Sequence, residues 1–295
     1  MNKQVAFYLM TYKGYWTLKQ FVETFTGKAV ELVIAGQDKN VENDYSKEIQ
    51  QFCENHQIPF FLKNQVFDIQ SEYIFAISWR WIIKSEKKII VLHDSLLPKY
   101  RGFAPLVNSL IKGEKKIGVT ALFANDDYDC GDIIAQRSLE ISYPITINEA
   151  IELITPLYSE LVQSVAKNYF LNKAIIGCKQ NNFEATYSLW RDEEDYFIQW
   201  NDTAANIKRF IDAIGYPYKG ACSMVDNQLV RIIKATVLDD LAIENRKAGK
   251  VIFFREKCPV VVCKEGLLRL DSIVNDNNNA ITFNKFRLRF YNPIE

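Results

Sequence analysis

The chain begins with short apolar runs separated by segments of helical spacing, and this alternation limits its fold more than any other feature. The runs are rich in β-branched residues, as buried strands of a parallel sheet are. Strands are predicted at residues 5–10, 30–35, 59–62, 73–78 and 89–92, with helices at 15–25 and 41–57. Strands that alternate with helices predict an α/β fold, a mostly parallel sheet with helices on both faces.

The pattern changes towards the end of the chain. A helix at 105–111 and a long helix at 147–171 flank a strand pair at 117–124 and 132–136. After a looser connection at 172–187, Asp202 or Thr203 can cap a helix that runs to residue 214. Short β-rich runs follow at 229–237, 249–254, 260–262, 267–273 and 280–283, which predict a small barrel-like domain. We therefore predict two domains, at residues 1–180 and 190–295.

Charge and cysteine content exclude several classes of protein. Lys+Arg and Asp+Glu number 36 each, so no net field attracts nucleic acid or a membrane surface, although a local basic patch can still bind tRNA. None of the six cysteines forms a CxxC pair, and two histidines cannot complete a zinc site, so we expect no metal. Reduced thiols, and no run long enough for a signal peptide or a membrane span, predict a cytoplasmic protein.

His93 is the candidate for a base that works near neutral pH. The sequence has two histidines, and His56 lies in a polar, helix-like stretch. His93 is the first polar residue after the apolar run 89–92, at the carboxyl end of a predicted strand, where open α/β sheets bind their ligands. A single histidine after a strand can also be structural, so its neighbours decide between the two interpretations.

Two linked motifs carry a resemblance to a known family. They are His93-Asp94-Ser95-Leu96-Leu97-Pro98 and Asp129-Cys130-Gly131-Asp132-Ile133, with Gly118-Val119-Thr120 between them. Together they resemble the folate-dependent formyltransferases, whose members act on methionyl-tRNA, glycinamide ribonucleotide or nucleotide sugars. The likeness covers most of residues 1–170 and implies a Rossmann-like sheet. A weaker likeness at 190–191, 198–200 and 217–221 implies the second domain of that family.

The resemblance implies an acid–base pair for formyl transfer to an amine. His93 would take a proton from the attacking nitrogen, and Asp129 would hold the ring and favour its charged form. Asp129 could instead only start a turn before Gly131. The family asparagine that binds the formyl oxygen corresponds to Val91, which has no donor, so Ser95, Asn108 or protonated His93 would have to replace it.

The resemblance also implies residues that bind the two substrates. The folate pocket would be lined by Trp81, Ile82 and Ile83 on one wall and by Phe123, Asp127 and Tyr128 on the other. The second substrate would contact Arg80, Ser95, Lys99, Tyr100, Arg101 and Asn108, with Arg80, Lys99 or Arg101 holding a diphosphate. The alternatives are ordinary packing for the tryptophans, a solvated acid for Asp127 and an exposed loop for Lys99.

Among formyltransferases, residues 78–81 and 93–105 look most like the nucleotide-sugar branch. This implies transfer from 10-formyltetrahydrofolate to the amine of a nucleotide-linked 4-amino-4,6-dideoxy sugar, such as a UDP-linked pseudaminic acid precursor for surface glycans. Two alternatives stay open: formylation of methionyl-tRNA, and a folate- or sugar-binding homologue impaired by Val91. For the second domain, substrate binding, formation of a homodimer and simple stabilisation all stay open.

Overall fold

A seven-stranded sheet organises the first half of the chain. The computed structural model describes residues 3–39, 41–283, 285 and 287–294. The strands up to residue 140 are β1 Val5–Leu9, β2 Val30–Ala35, β3 Phe60–Leu62, β4 Tyr73–Ile77, β5 Lys88–His93, the two-residue β6 Arg101–Gly102, β7 Lys116–Phe123 and β8 Ile133–Glu140. The sheet order is β3-β2-β1-β4-β5-β7-β8. Its first five strands are parallel, and β7 and β8 are antiparallel, which confirms the predicted α/β sheet.

Four helices connect these strands: α1 Thr11–Phe25, α2 Ser46–Asn55, α3 Pro105–Lys112 and α4 Ile147–Phe170. Helix α1 begins before the predicted residue 15, because the Gly14 amide donates to the Met10 carbonyl (3.1 Å) and the helix starts directly after β1. Helix α2 begins after the predicted residue 41, where the Asp44 carboxylate accepts from the Ser46 amide at 2.9 Å. Local hydrogen bonds, one between backbone groups and one to a side chain, therefore mark the two starting points.

The two faces of this sheet pack against different groups of side chains. On one face, Phe7 of β1 packs edge-on against Phe21 of α1 (5.0 Å between ring centroids) and stacks on Phe75 of β4 (5.5 Å). On the other face, Tyr8 packs against Trp79 (4.8 Å). That second face also holds Ala6, Leu32, Ile34, Ile69, Ile74 and Ala76. All five residues of β1 are buried, as a central parallel strand requires.

The second half of the chain forms a six-stranded antiparallel sheet curled into a half-barrel, which confirms the predicted barrel-like region. Its elements are α5 Ala204–Ala213, β10 Ala221–Val225, β11 Gln228–Leu238, β12 Val251–Arg255, β13 Cys258–Val262, β14 Leu267–Val274 and β15 Phe290–Tyr291, and β9 Tyr187–Ser188 precedes them. The sheet order is β12-β13-β14-β11-β10-β15. The Thr203 side chain accepts from the Asn206 amide (3.2 Å) and caps α5 as predicted.

The predicted strand at 280–283 is wrong. Within this segment, Ala280 alone forms a β-bridge, with Val274. The segment meets the end of β14, beyond the residues that pair with β13: the Ile281 amide donates to the Ile273 carbonyl (2.9 Å), but this pairing is too short to form a strand. The outer position beside β10 is taken by β15 instead.

Two compact units can be distinguished. The first comprises the described residues within Met1–Leu106, Lys115–Ile141 and Glu149–Leu189, and the second those within Val107–Glu114, Ser142–Asn148 and Trp190–Glu295. Two short segments of the first half of the chain thus belong to the second unit. The domain boundaries near residues 180 and 190 stay a prediction.

The cysteines are all free thiols. Burial raises the pKa of Cys53 and Cys263 to about 12 and that of Cys222 to about 11, so these thiols stay protonated near neutral pH. Cys178 is exposed, unlike the buried thiols expected from the sequence. Among the described residues, no helix combines the length and apolarity needed to cross a bilayer.

The core packing predicts the effect of removing one aromatic ring. Phe7 is fully buried, whereas Phe183 is fully exposed. We expect Phe7→Ala to lower the free energy of unfolding by about 3–5 kcal/mol, because the ring leaves a cavity between two strands and a helix. Phe183→Ala, the same substitution at the surface, should change it by less than about 0.5 kcal/mol. Urea unfolding of both variants measures the difference, and equal midpoints would contradict this account of the core.

Candidate active site

The two motifs singled out in the sequence meet in the structure. His93 is the last residue of β5, paired with Thr120 of β7, and Asp129 lies in the loop between β7 and β8. The distance between His93 Nδ1 and Asp129 Oδ2 is 3.4 Å, and the two side chains are 7% and 16% exposed. The same Asp129 oxygen accepts from the Gly102 amide at 2.9 Å. A carboxylate is therefore fixed beside an imidazole that is largely withdrawn from solvent.

The second ring nitrogen of His93 is also engaged. His93 Nε2 lies 2.8 Å from the Tyr100 carbonyl oxygen. A carbonyl only accepts, so Nε2 carries the proton of this hydrogen bond. A neutral ring would then turn the lone pair of Nδ1 towards the Asp129 carboxylate, whereas an imidazolium presents a proton to both acceptors. Both ring nitrogens of His93 therefore face oxygen atoms of the protein.

The loop between His93 and Arg101 is held by its own polar groups. The Ser95 hydroxyl donates to the Lys99 carbonyl at 2.7 Å. Thr120 Oγ1 donates to the Ser95 carbonyl (2.6 Å) and accepts from the Leu97 amide (3.2 Å). Ser95 is 4% exposed. These bonds fix the turn that brings the Tyr100 carbonyl back to His93, so Ser95 supports this loop in the structure.

A segment predicted as a loose connection lies against both loops of the site. We call residues 178–188 the strap. At one end, the Cys178 amide and carbonyl both pair with Ile133, each at 2.8 Å. At the other, β9 pairs in parallel with β6. Between them, Gln180 Nε2 donates to the Asp129 carbonyl (2.7 Å) and the Gly131 carbonyl (2.8 Å). The strap has no hydrophobic periodicity, so the sequence offered no signal for it.

Arg101, predicted to bind a phosphate, is buried under the strap with 2% exposure. Its Nε and Nη2 donate to Gln180 Oε1 (3.0 and 2.8 Å), and Nη2 also donates to Asn182 Oδ1 (2.8 Å). Its Nη1 faces the Tyr187 hydroxyl at 3.4 Å. Donors directed at protein acceptors favour a structural role, and the phosphate contact of Arg101 stays a prediction.

Two cationic side chains, Lys63 and Arg80, lie close to the predicted folate wall at residues 81–83. Trp81 is half-buried, and Lys63 Nζ lies 3.7 Å from its ring centroid. A Cβ on Gly36 would come within 2.5 Å of the Trp81 ring, so a residue without a side chain is needed there. Arg80 pairs with Asp38 at 2.8 Å. Ile83 packs against the core face that holds Tyr8, and Ile82 is 78% exposed.

The other predicted wall is mostly open to solvent. Phe123 is half-buried, and its amide donates to the Asp132 carbonyl (3.0 Å). Tyr128 is 63% exposed and lies 5.5 Å from the Phe103 ring, and Asp127 is exposed as well. Exposed aromatic and apolar side chains thus occur on both predicted walls.

The remaining predicted contacts are spread over both units. The Lys99 side chain is exposed and makes no ion pair or side-chain hydrogen bond within the part of the chain that the structure describes. Asn108 belongs to the second unit, where its Oδ1 accepts from Arg191 Nη2 at 2.8 Å. Val91 points to the same face of β5 as His93, because alternate residues of a strand share a face, and it packs against the core residues of that face.

Within the residues that the structure describes, His, Cys, Asp and Glu side chains form no group of three that could hold a metal ion. A cleft of about 780 Å³ lies in the second unit, lined by Trp200, Asn201, Asp226, Asn227, Ala248, Arg287, Arg289, Phe290, Tyr291 and Asn292. None of the predicted site residues lines this cleft.

Comparison with known families gives two matches. Residues 47–155 match the formyl transferase family, and residues 191–290 match the formyl transferase C-terminal domain. A sequence relative is the methionyl-tRNA formyltransferase of Thermodesulfovibrio yellowstonii, 33% identical over 198 residues, which are 67% of this chain. The chain covers only 61% of the length of that relative.

Solved structures show a similar fold over nearly the whole chain. WlaRD, a sugar 3N-formyl transferase solved with dTDP and 5-N-formyl-THF, matches with a TM-score of 0.71 and 19% identity, covering 97% of this chain and 99% of its own. An N-formyltransferase from Helicobacter canadensis, solved with folinic acid and dTDP-3-aminofucose, has a TM-score of 0.69 and 19% identity, with 91% and 98% covered. At this identity the likeness concerns the fold.

The contact between His93 and Asp129 predicts a spectroscopic change. In Asp129→Ala the acceptor facing His93 Nδ1 is lost, because alanine has no oxygen to replace the carboxylate. We expect the ¹⁵N signals of the His93 ring to change while those of His56 stay in place. With two histidines in the chain, NMR of ¹⁵N-histidine-labelled protein resolves both. Unchanged His93 signals would show that the carboxylate does not interact with the ring.

Proposed function

The chain belongs to the formyltransferase family, and on that premise we propose that it transfers the formyl group of 10-formyltetrahydrofolate to the amine of a nucleotide-linked 4-amino-4,6-dideoxy sugar. The observation that carries the chemical part is the pairing of His93 with Asp129 at 3.4 Å. His93 ends strand β5 and Asp129 lies in the loop between β7 and β8, and the fold brings the two side chains together where both are largely shielded from solvent.

The folate would supply the formyl group, and residues of this chain would manage the proton. When the substrate nitrogen forms its bond to the formyl carbon, it must lose one proton. His93 is placed to accept that proton, and Asp129 would stabilise the resulting imidazolium. The proton would then pass to the folate nitrogen as the bond between that nitrogen and the formyl carbon breaks. No protein nucleophile is required, because the amine belongs to the substrate.

The two predicted folate walls carry apolar surface that a flat folate ring could cover. Half-buried Trp81 and the exposed side chains of Ile82 and Tyr128 would otherwise leave apolar surface in water. Phe123 and Asp127 belong to the same loop region as Tyr128.

The amino-sugar acceptor is supported by three observations. The similarity to WlaRD extends over 97% of this chain and 99% of that protein, a sugar N-formyl transferase. Cationic Lys99 lies in the loop after His93, exposed and without a described partner, where it can reach a phosphate. Arg80 is the second candidate, although it already pairs with Asp38. The nucleotide, the particular sugar and a homodimer stay predictions.

Formylation of methionyl-tRNA is the second candidate, favoured by the sequence relatives. It would require the second unit to attract a polyanion. The balanced charge of the chain, with 36 basic and 36 acidic residues, gives no general attraction of that kind. A binding protein impaired by Val91 is the third alternative. Such a protein would bind folate or sugar without turnover.

A panel of acceptors separates these functions. With 10-formyltetrahydrofolate as donor, we expect the wild type to formylate at least one nucleotide-linked amino sugar and not initiator methionyl-tRNA. His93→Ala should lower that rate by roughly a hundredfold or more, because the proton acceptor is lost. His56→Ala, which removes the other histidine, is the matched control and should keep the rate. Formylation of tRNA alone would overturn the ranking, and binding without turnover would identify the third alternative.

The proton role of His93 predicts a pH dependence. A base works only when it is neutral, so kcat/KM should rise as the pH increases from acidic to neutral values. The Tyr100 carbonyl must then release Nε2, or Nδ1 must turn from Asp129, to present a lone pair. A rate that falls over this range would instead assign protonated His93 to the developing oxyanion, in place of the missing asparagine. Steady-state rates at several pH values decide between them.

A further inference from the structure

Gln180 connects the segment that follows His93 to the loop that carries Asp129. Its side-chain oxygen accepts both bonds from Arg101, at 3.0 and 2.8 Å, on the loop that follows His93. Its side-chain nitrogen donates to the carbonyls of Asp129 and Gly131, at 2.7 and 2.8 Å. One amide thus uses its acceptor on one loop and its donors on the other. From this geometry we infer that Gln180 is a positioning residue, which sets the distance between His93 and Asp129.

The backbone conformations of both segments have to be held by contacts with other parts of the chain. Tyr100 and Asp129 have φ values of 60° and 53°, in the left-handed region that residues other than glycine rarely adopt. Residues are kept in such conformations by their surroundings. The strap supplies those contacts: the Thr186 hydroxyl accepts from the Tyr100 amide (2.8 Å), and Gln180 holds the Asp129 carbonyl.

The burial of Arg101 fits the same role. A guanidinium that is 2% exposed needs acceptors for its donors, and Gln180 and Asn182 provide three bonds within 3.0 Å. Arg101 is followed directly by Gly102, whose amide donates to the Asp129 carboxylate. Fixing Arg101 therefore also fixes a donor to the catalytic carboxylate. The effect of Gln180 on the reaction rate rests on the proposed function. Its contacts with Arg101, Asp129 and Gly131 do not, because they are present in the protein without substrate.

Two substitutions of Gln180 separate the role of its side-chain oxygen from that of its side-chain nitrogen. Gln180→Met keeps the length of the side chain and removes both interactions. Gln180→Glu keeps the acceptor for Arg101 and removes the donors to Asp129 and Gly131. Lys179→Ala is the matched control, because Lys179 is exposed on the same strap and makes no described side-chain contact. The wild-type acceptor identified above is the substrate in each assay.

We expect Gln180→Met and Gln180→Glu to lower kcat by about tenfold to a hundredfold, as displacement of a reacting group by about 1 Å does, with KM changed less than about threefold. Lys179→Ala should match the wild type. In NMR of the proteins without substrate, the His93 ring signals of both Gln180 variants should move towards those of Asp129→Ala, with His56 unchanged. A structural role alone would lower thermal stability without this specific shift.

Three results would overturn the inference. The first is wild-type kcat together with unchanged ¹⁵N signals of the His93 ring in both Gln180 variants, and the second is an equal loss of kcat in Lys179→Ala. The third is failure of both Gln180 variants to fold, which would make the strap a purely structural element. If the wild type formylates no acceptor, the proposed function fails by itself. The NMR comparison then still decides whether Gln180 positions Asp129 against His93.

Discussion

The contact between His93 and Asp129 is the interaction on which the site depends, because the strand that carries His93 does not by itself bring Asp129 to the ring. His93 ends β5, but Asp129 lies in a loop that is free of regular structure and must be carried to the ring. The Gly102 amide and Gln180 hold that loop, from two other segments of the first unit. A pair that gains its geometry from several segments exists only when the whole unit is folded.

The sequence predicts most of the sheet because apolar strands of a parallel sheet are recognisable one by one. All five parallel strands were found within a few residues, since each is a short buried run with polar flanks. The start of α1 was missed because it follows β1 without a turn, joined by the bond from Gly14 to Met10. The false strand at 280–283 has a different origin: the run pairs with the end of β14 over two residues only, and the length of such a pairing is not contained in a local pattern.

The candidate site shows the same division. His93 and Asp129 lie in recognisable motifs, so the sequence names both, and the structure shows them in contact. Gln180 could not be found, because its role depends on two loops 79 and 51 residues away in the chain, and a single polar residue in an irregular segment has no pattern. Arg101 illustrates the converse. Its place beside the histidine suggested a phosphate ligand, but only the fold reveals that its donors are taken by the strap.

The missing hydrogen-bond donor at Val91 bears on the role that His93 plays in its charged form. Its side chain shares a face with His93 but has no donor, so it cannot stabilise a developing negative charge. In the resting arrangement, His93 lies between the Tyr100 carbonyl and the Asp129 carboxylate. A charged ring beside the reacting group would compensate for the donor that Val91 lacks, whereas a neutral ring could only accept a proton. The identity of residue 91 and the charge of His93 are therefore linked, and an asparagine at this position would relieve His93 of one of the two tasks.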